Sequence, residues 1–384
     1  MSEVVELLQR LVSIDSVNPE LVPGGAGESE IAGFIRDWLE ERGAETTWLE
    51  GTPGRPSVVG RFAGRGRGRT LLPDGHVDTV GVEGMEGPFD ARMDGGRLYG
   101  RGAYDMKCGV AAMLVAAARA ARRGLDGDVV VACVADEETR SLGTEEVIAA
   151  VDAAGTVVDG AIVTEPTELE LVVAHKGFVW AEITTRGRAA HGSRPDLGVD
   201  AIVHMGRVLA GLERLGGELA AGRRHPLLAS ASVHASTVEG GEGWSIYPAG
   251  CRLRLEWRTL PGDTPEDVFG RLEGLLAELA AADPTFEAEL RRDLTRPPHE
   301  IDPGHDLARA VAGAAAEAIG ASPASAGVAY WADAALLADA GIPTVMFGPS
   351  GAGAHADEEW VDLGSVEACA TTLEGAIRAY CGPA

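Results

Sequence analysis

Lysine is almost missing from this 384-residue chain, which holds Lys107 and Lys176 against 31 arginines. Asparagine is scarcer still, with Asn18 alone. A chain so biased towards arginine keeps a lysine where a compact ammonium is needed, or by chance. The five cysteines (Cys108, Cys133, Cys251, Cys369, Cys381) form no CxxC pair and are odd in number, so neither a disulfide framework nor a thiolate zinc site is implied. Basic charge is in deficit, 33 Lys and Arg against 59 Asp and Glu for a net −26, which argues against nucleic acid and anionic membrane surfaces as partners. No run approaches the ~20 apolar residues of a membrane span. The opening MSEVVELLQRLV lacks the basic region of a signal peptide and sets Val4, Leu7, Leu8 and Leu11 at helical spacing, so the expected location is cytoplasmic.

What is present supports a large globular protein. The apolar fraction of 45% supplies a core, and the length predicts two domains or three. Up to about residue 176, helical patterns near 3–12, 28–42, 108–123 and 144–153 alternate with β-rich runs near 57–62, 69–73, 128–134 and 160–164. That rhythm predicts an α/β sheet, mostly parallel and covered on both faces. From 177 to 294 the order becomes strand, helix, two longer strands, helix, strand, the split motif of a ferredoxin-like α+β domain. After the linker-like RPPHEIDPG (296–304) the helix and strand alternation resumes. The expectation is a discontinuous catalytic α/β domain, 1–176 and 295–384, interrupted by a smaller lid at 177–294.

Histidines and carboxylates gather where the strands end. LLPDGHVDTV offers His76 and Asp78, VVVACVADEE offers Glu137 and Glu138, GAIVTEPT offers Glu165, and IPTVMFGPSGAGAH offers His355. Open α/β sheets bind ligands outside the carboxyl ends of their strands. YGRGAYDMK adds Asp105 at the start of a helix. Any one of these alone reads as a hydrogen-bonded pair or a solvated charge cluster. Together they set charged groups at several apolar strand ends, which is costly unless they are partnered. Two imidazoles and three carboxylates (His76, Asp105, Glu138, Glu165, His355) without thiolates suit two ions of zinc or a similar borderline cation, with one carboxylate bridging.

GHVDTV, GRGAYDMKCGVAAML, DEET, TEPT, HKGF, AHGSRP, RTLPGDT and GAGAHADEEWV stand in an order and spacing that resemble the dinuclear zinc amidohydrolases, over residues ~5–380. That family includes acetylornithine deacetylase, succinyl-diaminopimelate desuccinylase, aminoacylase and glutamate carboxypeptidase. The resemblance implies Asp105 as the bridging carboxylate, His76 and Glu165 on one metal, and Glu138 and His355 on the other. It implies Asp78 as the partner orienting His76 and Glu137 as the general base. Adjacent side chains of extended backbone point to opposite sides, which would let Glu138 take a metal while Glu137 faces the water.

The resemblance further implies that His191, in AHGSRP, stabilises the oxyanion from the partner subunit of a homodimer, and that Arg258 binds the substrate's α-carboxylate. Ser245, in WSIYPAG, stands where relatives often carry an asparagine, and YWADAALL lacks the Thr-Ser-Asp-Gly of the desuccinylases, leaving Asp333 without a clear role. The aromatics Trp244, Tyr247, Tyr330 and Trp331 flank these motifs and either line a pocket or pack in the core. The expected activity is metal-dependent hydrolysis of a linear amide, first of an N-acyl amino acid as in acetylornithine deacetylase, with zinc, or cobalt or manganese, as cofactor. Desuccinylase, dipeptidase and glutamate-type carboxypeptidase activities are the alternatives within that chemistry. A metal-free binding paralogue is the alternative outside it.

Overall fold

A computed structural model describes residues 1–382. It comprises two compact units. One takes in Met1–Val173, Ile301–Ala326 and the segment from Ala332 on; the other takes in Ala174–Glu300 and Gly327–Trp331.

The first unit is built on a sheet whose middle is parallel. Strands Val129–Val134, Leu71–His76, Gly160–Val163 and Thr344–Met346 lie side by side in that order and run the same way. Val129–Val134, a β-branched run, is buried throughout, as a strand covered on both faces must be. Ser57–Phe62 and Glu45–Leu49 extend one flank in antiparallel pairing, and Leu171–His175 joins the other flank antiparallel to Thr344–Met346. Because the four central strands are parallel, their carboxyl ends open on one edge. His76 ends one of them, and Glu137, Glu138 and Glu165 follow two others within a few residues.

Helix Lys107–Arg123 is buried along most of its length, and its alanines let it lie close to its neighbours. Gly109 makes the approach possible: a Cβ there would sit 1.9 Å from the Thr164 carbonyl oxygen. The same holds at Gly348, where a Cβ would be 2.0 Å from the Glu165 carbonyl. These two contacts draw the start of the helix and the loop after Thr344–Met346 onto the tip of strand Gly160–Val163. A small antiparallel sheet, in the order Gly351–Ala352, Trp360–Asp362, Arg97–Tyr99, Arg92–Asp94, holds the loop that carries His355 between its first two strands. The alternation pattern did not predict this sheet, whose strands are too short to show a period.

In the second unit, strands Gly177–Arg186, Ser232–Gly240, Gly250–Thr259 and Glu287–Arg296 form an antiparallel sheet with Ser232–Gly240 and Glu287–Arg296 at its edges. Helices Ala201–Ala221 and Pro265–Ala282 complete the β-α-β-β-α-β order of the split motif. Val179, Ala181 and Ile183 alternate inward, as do Leu253, Leu255 and Trp257, against Met205, Val208, Leu212, Phe269 and Leu272 of the helices. Thr264 and Asp267 close the second helix with a reciprocal capping box, and Pro265 occupies its first turn.

Two expectations need correction. The strand expected at 69–73 instead spans Leu71–His76, so His76 is its last residue rather than lying beyond it, and Asp74 is fully buried inside it. Glu137 and Glu138 do not lie in extended backbone. Asp136 adopts a left-handed φ of 70°, and its carbonyl accepts the N–H groups of Thr139, Arg140 and Ser141, curling both glutamates into a turn. An aspartate tolerates that conformation better than most residues.

Candidate metal centre

His76 leaves its strand with both ring nitrogens engaged. Its Nδ1 lies 3.0 Å from the Asp78 carbonyl oxygen and 3.5 Å from Asp78 Oδ1, while Nε2 faces Asp105 Oδ1 at 3.3 Å and Glu165 Oε1 at 3.8 Å. The second imidazole arrives from the loop of the small sheet: His355 Nε2 is 3.3 Å from Asp105 Oδ2 and 3.1 Å from Glu138 Oε2. Asp105 thus turns one oxygen to each histidine. His76, Glu137 and Glu165 form one close donor group, and His76, Asp105 and Glu138 a second.

Glu359, which the motif reading passed over, accepts the N–H of Asp105 at 3.0 Å and of Tyr104 at 2.8 Å, and takes the Arg101 guanidinium at 2.7 Å. Asp78 likewise accepts the N–H of Glu137 and of Glu138 at 3.1 and 3.3 Å. Asp105, Glu137 and Glu138 are therefore each placed by a second carboxylate behind them.

The electrostatics follow from this crowding. Burial pushes the Glu137 carboxyl well above the ordinary range; Glu165, Asp333 and Glu138 add to the rise while His76 opposes it. Burial also raises Glu165 and Glu138. Half-buried Asp105 feels the same desolvation, yet hydrogen bonds from His355 and His76 hold it below the ordinary carboxylate range. Hydrogen bonds to Asp105 and Glu138 push His355 up to about 10. Asp333 is buried behind the cluster and accepts Thr144 Oγ1 at 2.6 Å; burial pushes its carboxyl up to about 6.

The residues fit divalent cations. Four carboxylates converge with two imidazoles on a small volume, an excess of negative charge that a dication offsets. Glu138 Oε1 is buried without a hydrogen-bond partner, an acceptor left for a ligand bond. The donors are nitrogen and oxygen only, and the five cysteines are buried free thiols.

The remaining candidates lie in the second unit. His191 is exposed, with Nδ1 2.8 Å from Ser193 Oγ, and its segment pairs with the one carrying Ser245: His191 bridges Ile246, and Gly192 N–H donates to the Ser245 carbonyl at 2.8 Å. Arg258 lies on strand Gly250–Thr259, its Nε donating to Glu256 at 2.8 Å and its guanidinium over the Phe178 ring. Trp244 is fully exposed, whereas Trp331 packs edge-on against Phe178 and donates to the Pro297 carbonyl.

Comparison with known proteins agrees with this picture. Residues 73–379 match Peptidase family M20/M25/M40. An acetylornithine deacetylase of Myxococcus xanthus is 32% identical, over 98% of this chain and 97% of that protein. Among solved structures, the M20 family metallo-carboxypeptidase Sso-CP2 of Sulfolobus solfataricus superposes with a TM-score of 0.80 at 19% identity, over 99% of this chain and 100% of that one. The Bacillus subtilis YXEP protein, a dinuclear metal-binding peptidase, does so with a TM-score of 0.74 at 19% identity, over 98% and 97%. These likenesses show the same mixed α/β fold. The chain belongs to peptidase family M20/M25/M40 and is a metal-dependent amidohydrolase.

Proposed function

We propose that the chain removes the acyl group from an N-acyl amino acid, using two divalent ions held by His76, Asp105, Glu138, Glu165 and His355. The observation that carries the reading is Asp105, whose two oxygens face different imidazoles. A carboxylate so placed suits a bridge, with His76 and Glu165 serving one ion and Glu138 and His355 the other. Zinc suits the nitrogen and oxygen donors, and cobalt or manganese would fit the same set. When bound, the ions polarise the scissile carbonyl and lower the pKa of the attacking water.

The chain's own side chains do the rest. Glu137 takes the water's proton on its carboxylate and returns it to the leaving amine, a role suited to a carboxyl whose pKa is raised by burial. Asp78 holds the His76 ring in the orientation a ligand requires. Arg258 supplies a guanidinium fork for the substrate's α-carboxylate, and Ser245 a hydroxyl on the segment paired with His191. His191 steadies the oxyanion, and in this reading it comes from the partner subunit of a homodimer.

The second unit has a surface that suits such a dimer. Edge strand Ser232–Gly240 is exposed along most of its length, and Val238, Ile202, Val203 and Trp244 leave apolar surface in solvent. No helix among the described residues is long and apolar enough to cross a membrane, and the buried free thiols suit a reducing compartment, the cytoplasm in this proposal.

The test is hydrolysis by the zinc-, cobalt- or manganese-loaded chain of a matched panel. It comprises N-acetyl-ornithine, other N-acetyl amino acids, N-succinyl-diaminopimelate, dipeptides and N-acyl-glutamates. Chelator-sensitive cleavage of an N-acetyl amino acid is expected. Turnover of dipeptides alone would overturn the deacylase assignment, turnover of succinylated substrates alone would make succinyl rather than acetyl the acyl group removed, and a chain that binds no metal would overturn the centre itself.

A further inference from the structure

The chain's only asparagine is fully buried and touches the supports of both halves of the metal centre. Asn18 Nδ2 donates to Asp78 Oδ2 at 2.8 Å and to Asp136 Oδ1 at 3.1 Å. Its Oδ1 accepts the Glu20 N–H at 2.9 Å, and its own N–H donates to the Thr79 carbonyl at 2.8 Å. The orientation of the amide is fixed by chemistry, since the oxygen meets an N–H and the nitrogen meets two carboxylates.

Each carboxylate governs a different part of the site. Asp78 stands behind His76 and accepts the N–H groups of Glu137 and Glu138. Asp136, through its carbonyl, curls the turn that presents those two glutamates. Its Oδ1 also takes the Arg55 guanidinium at 2.8 Å, and Arg55 forks onto Glu28 with two bonds of 2.7 Å. Asn18, Asp78, Asp136, Arg55 and Glu28 are all buried. Asn18 is the link that fixes the distance between Asp78 and Asp136, which would otherwise repel one another.

Few side chains could replace it. The position needs two N–H groups diverging from one nitrogen, and an acceptor close enough for the Glu20 N–H. Serine has one donor, aspartate has none when ionised, glutamine is a methylene too long, and lysine and arginine have no acceptor. It is the one asparagine in the chain, and both of its amide N–H groups and its oxygen are engaged.

We propose that Asn18 is a positioning residue that sets the spacing between the His76 imidazole and the Glu137–Glu138 turn, and thereby the affinity of the centre for its ions. The inference rests on the metal reading above. Its test is zinc affinity, measured on the stripped full-length chain by competition with a chromogenic chelator, for wild type, Asn18→Ser, Asn18→Asp and Asn18→Ala. The melting temperature of each stripped chain is measured alongside.

The expected result is a stepwise loss as donors are removed, slight for Asn18→Ser and about 10–100-fold for Asn18→Asp and Asn18→Ala, the scale seen when a ligand's support is removed. The isosteric Asn18→Asp, which keeps the acceptor for Glu20, decides the matter if Asn18→Ala does not fold. Unchanged zinc affinity, with or without a lower melting temperature, overturns the proposal. Failure of all three variants to fold assigns Asn18 to the scaffold and overturns it too. A wild-type chain that binds no zinc would instead overturn the metal centre, so the two failures are distinguishable.

Discussion

The two units hold their polar groups in opposite ways. In the first, Asp78, Glu165 and His76 are buried, and although Asp78 holds its near neighbour His76, Asp78 and Asp105 are themselves placed from distant parts of the chain, by Asn18 and Glu359. In the second, His191 leans on Ser193 and Arg258 on Glu256, neighbours two residues away. Burial raises the Glu137, Glu138 and Glu165 carboxyls of the first unit and makes each group costly to move. Partly exposed pairs such as Arg258 with Glu256 are worth only about 0–1 kcal/mol, so a substrate carboxylate can take over the guanidinium at little cost. The first unit is built to fix chemistry, the second to exchange partners.

The strongest challenge to that contrast is Glu137→Gln. It removes the proposed base but leaves a side chain of the same size, so kcat should fall by about 10²–10⁴-fold. Zinc content by elemental analysis should stay at the wild-type level. Turnover near the wild-type rate would remove Glu137 from the mechanism. Asp78→Ala comes next. It strips the support of His76 and leaves the Glu137 and Glu138 N–H groups without their acceptor, so zinc affinity should fall about 10–100-fold. A calorimetric titration checks this, and an unaltered affinity would show that His76 is held by the strand alone.

Much of the first unit could be read from the sequence because its signal is chemical. His76, Glu138, Glu165 and His355 are charged groups after apolar runs, and parallel strands bring such ends to one edge whatever the details between. What could not be read depends on contacts far apart in the chain. Glu359 looked like one more acid in ADEEW, and Asn18 like a leftover of composition, because the partners that give them meaning lie 254 and 60 residues away. The turn at Asp136 was hidden for another reason. A left-handed φ at a non-glycine residue leaves no periodic mark, so Glu137 and Glu138 passed for extended chain. In the second unit the β-α-β-β-α-β order was plain. The pairing of the His191 and Ser245 segments was not, since it joins two loops.

Arg258→Lys sharpens the comparison from the side of the second unit. An ammonium keeps the charge but loses the planar fork, so binding of a carboxylate should weaken by about tenfold. The effect should appear in KM, with kcat and zinc affinity little changed, because nothing Arg258 touches within its own unit belongs to the ligand set. A fall in kcat with KM unchanged would instead place Arg258 on the reacting carbonyl.

The smallest effect is expected at the two lysines, which divide between the units. Lys107 is fully buried and donates to the Ile14 carbonyl at 2.8 Å; burial pulls its pKa down to about 7, against opposition from Glu359, Asp15 and Asp78. Lys176 donates to the Ser230 carbonyl at 2.6 Å, and burial, with Arg258 nearby, lowers it as well. Between the folded pKa of about 7 and the ordinary 10.5, unfolding at Lys107 takes up a proton, so stability rises with pH across that window. Below it both states are protonated and the cost of burying the charge is constant. The melting temperature of wild type should therefore gain on that of Lys107→Met as pH rises from about 7 towards 10. Parallel curves would show that the carboxylates keep Lys107 charged in the fold. Lys107→Arg should be worse at every pH, since a guanidinium cannot shed its proton and the stem already lies against Gly102, where a Cβ would be 2.9 Å from Lys107 Cδ. Lys176→Arg, in a less enclosed position, should lower the melting temperature by less, and equal losses at the two sites would erase the contrast between a unit that must bury its charges and one that need not.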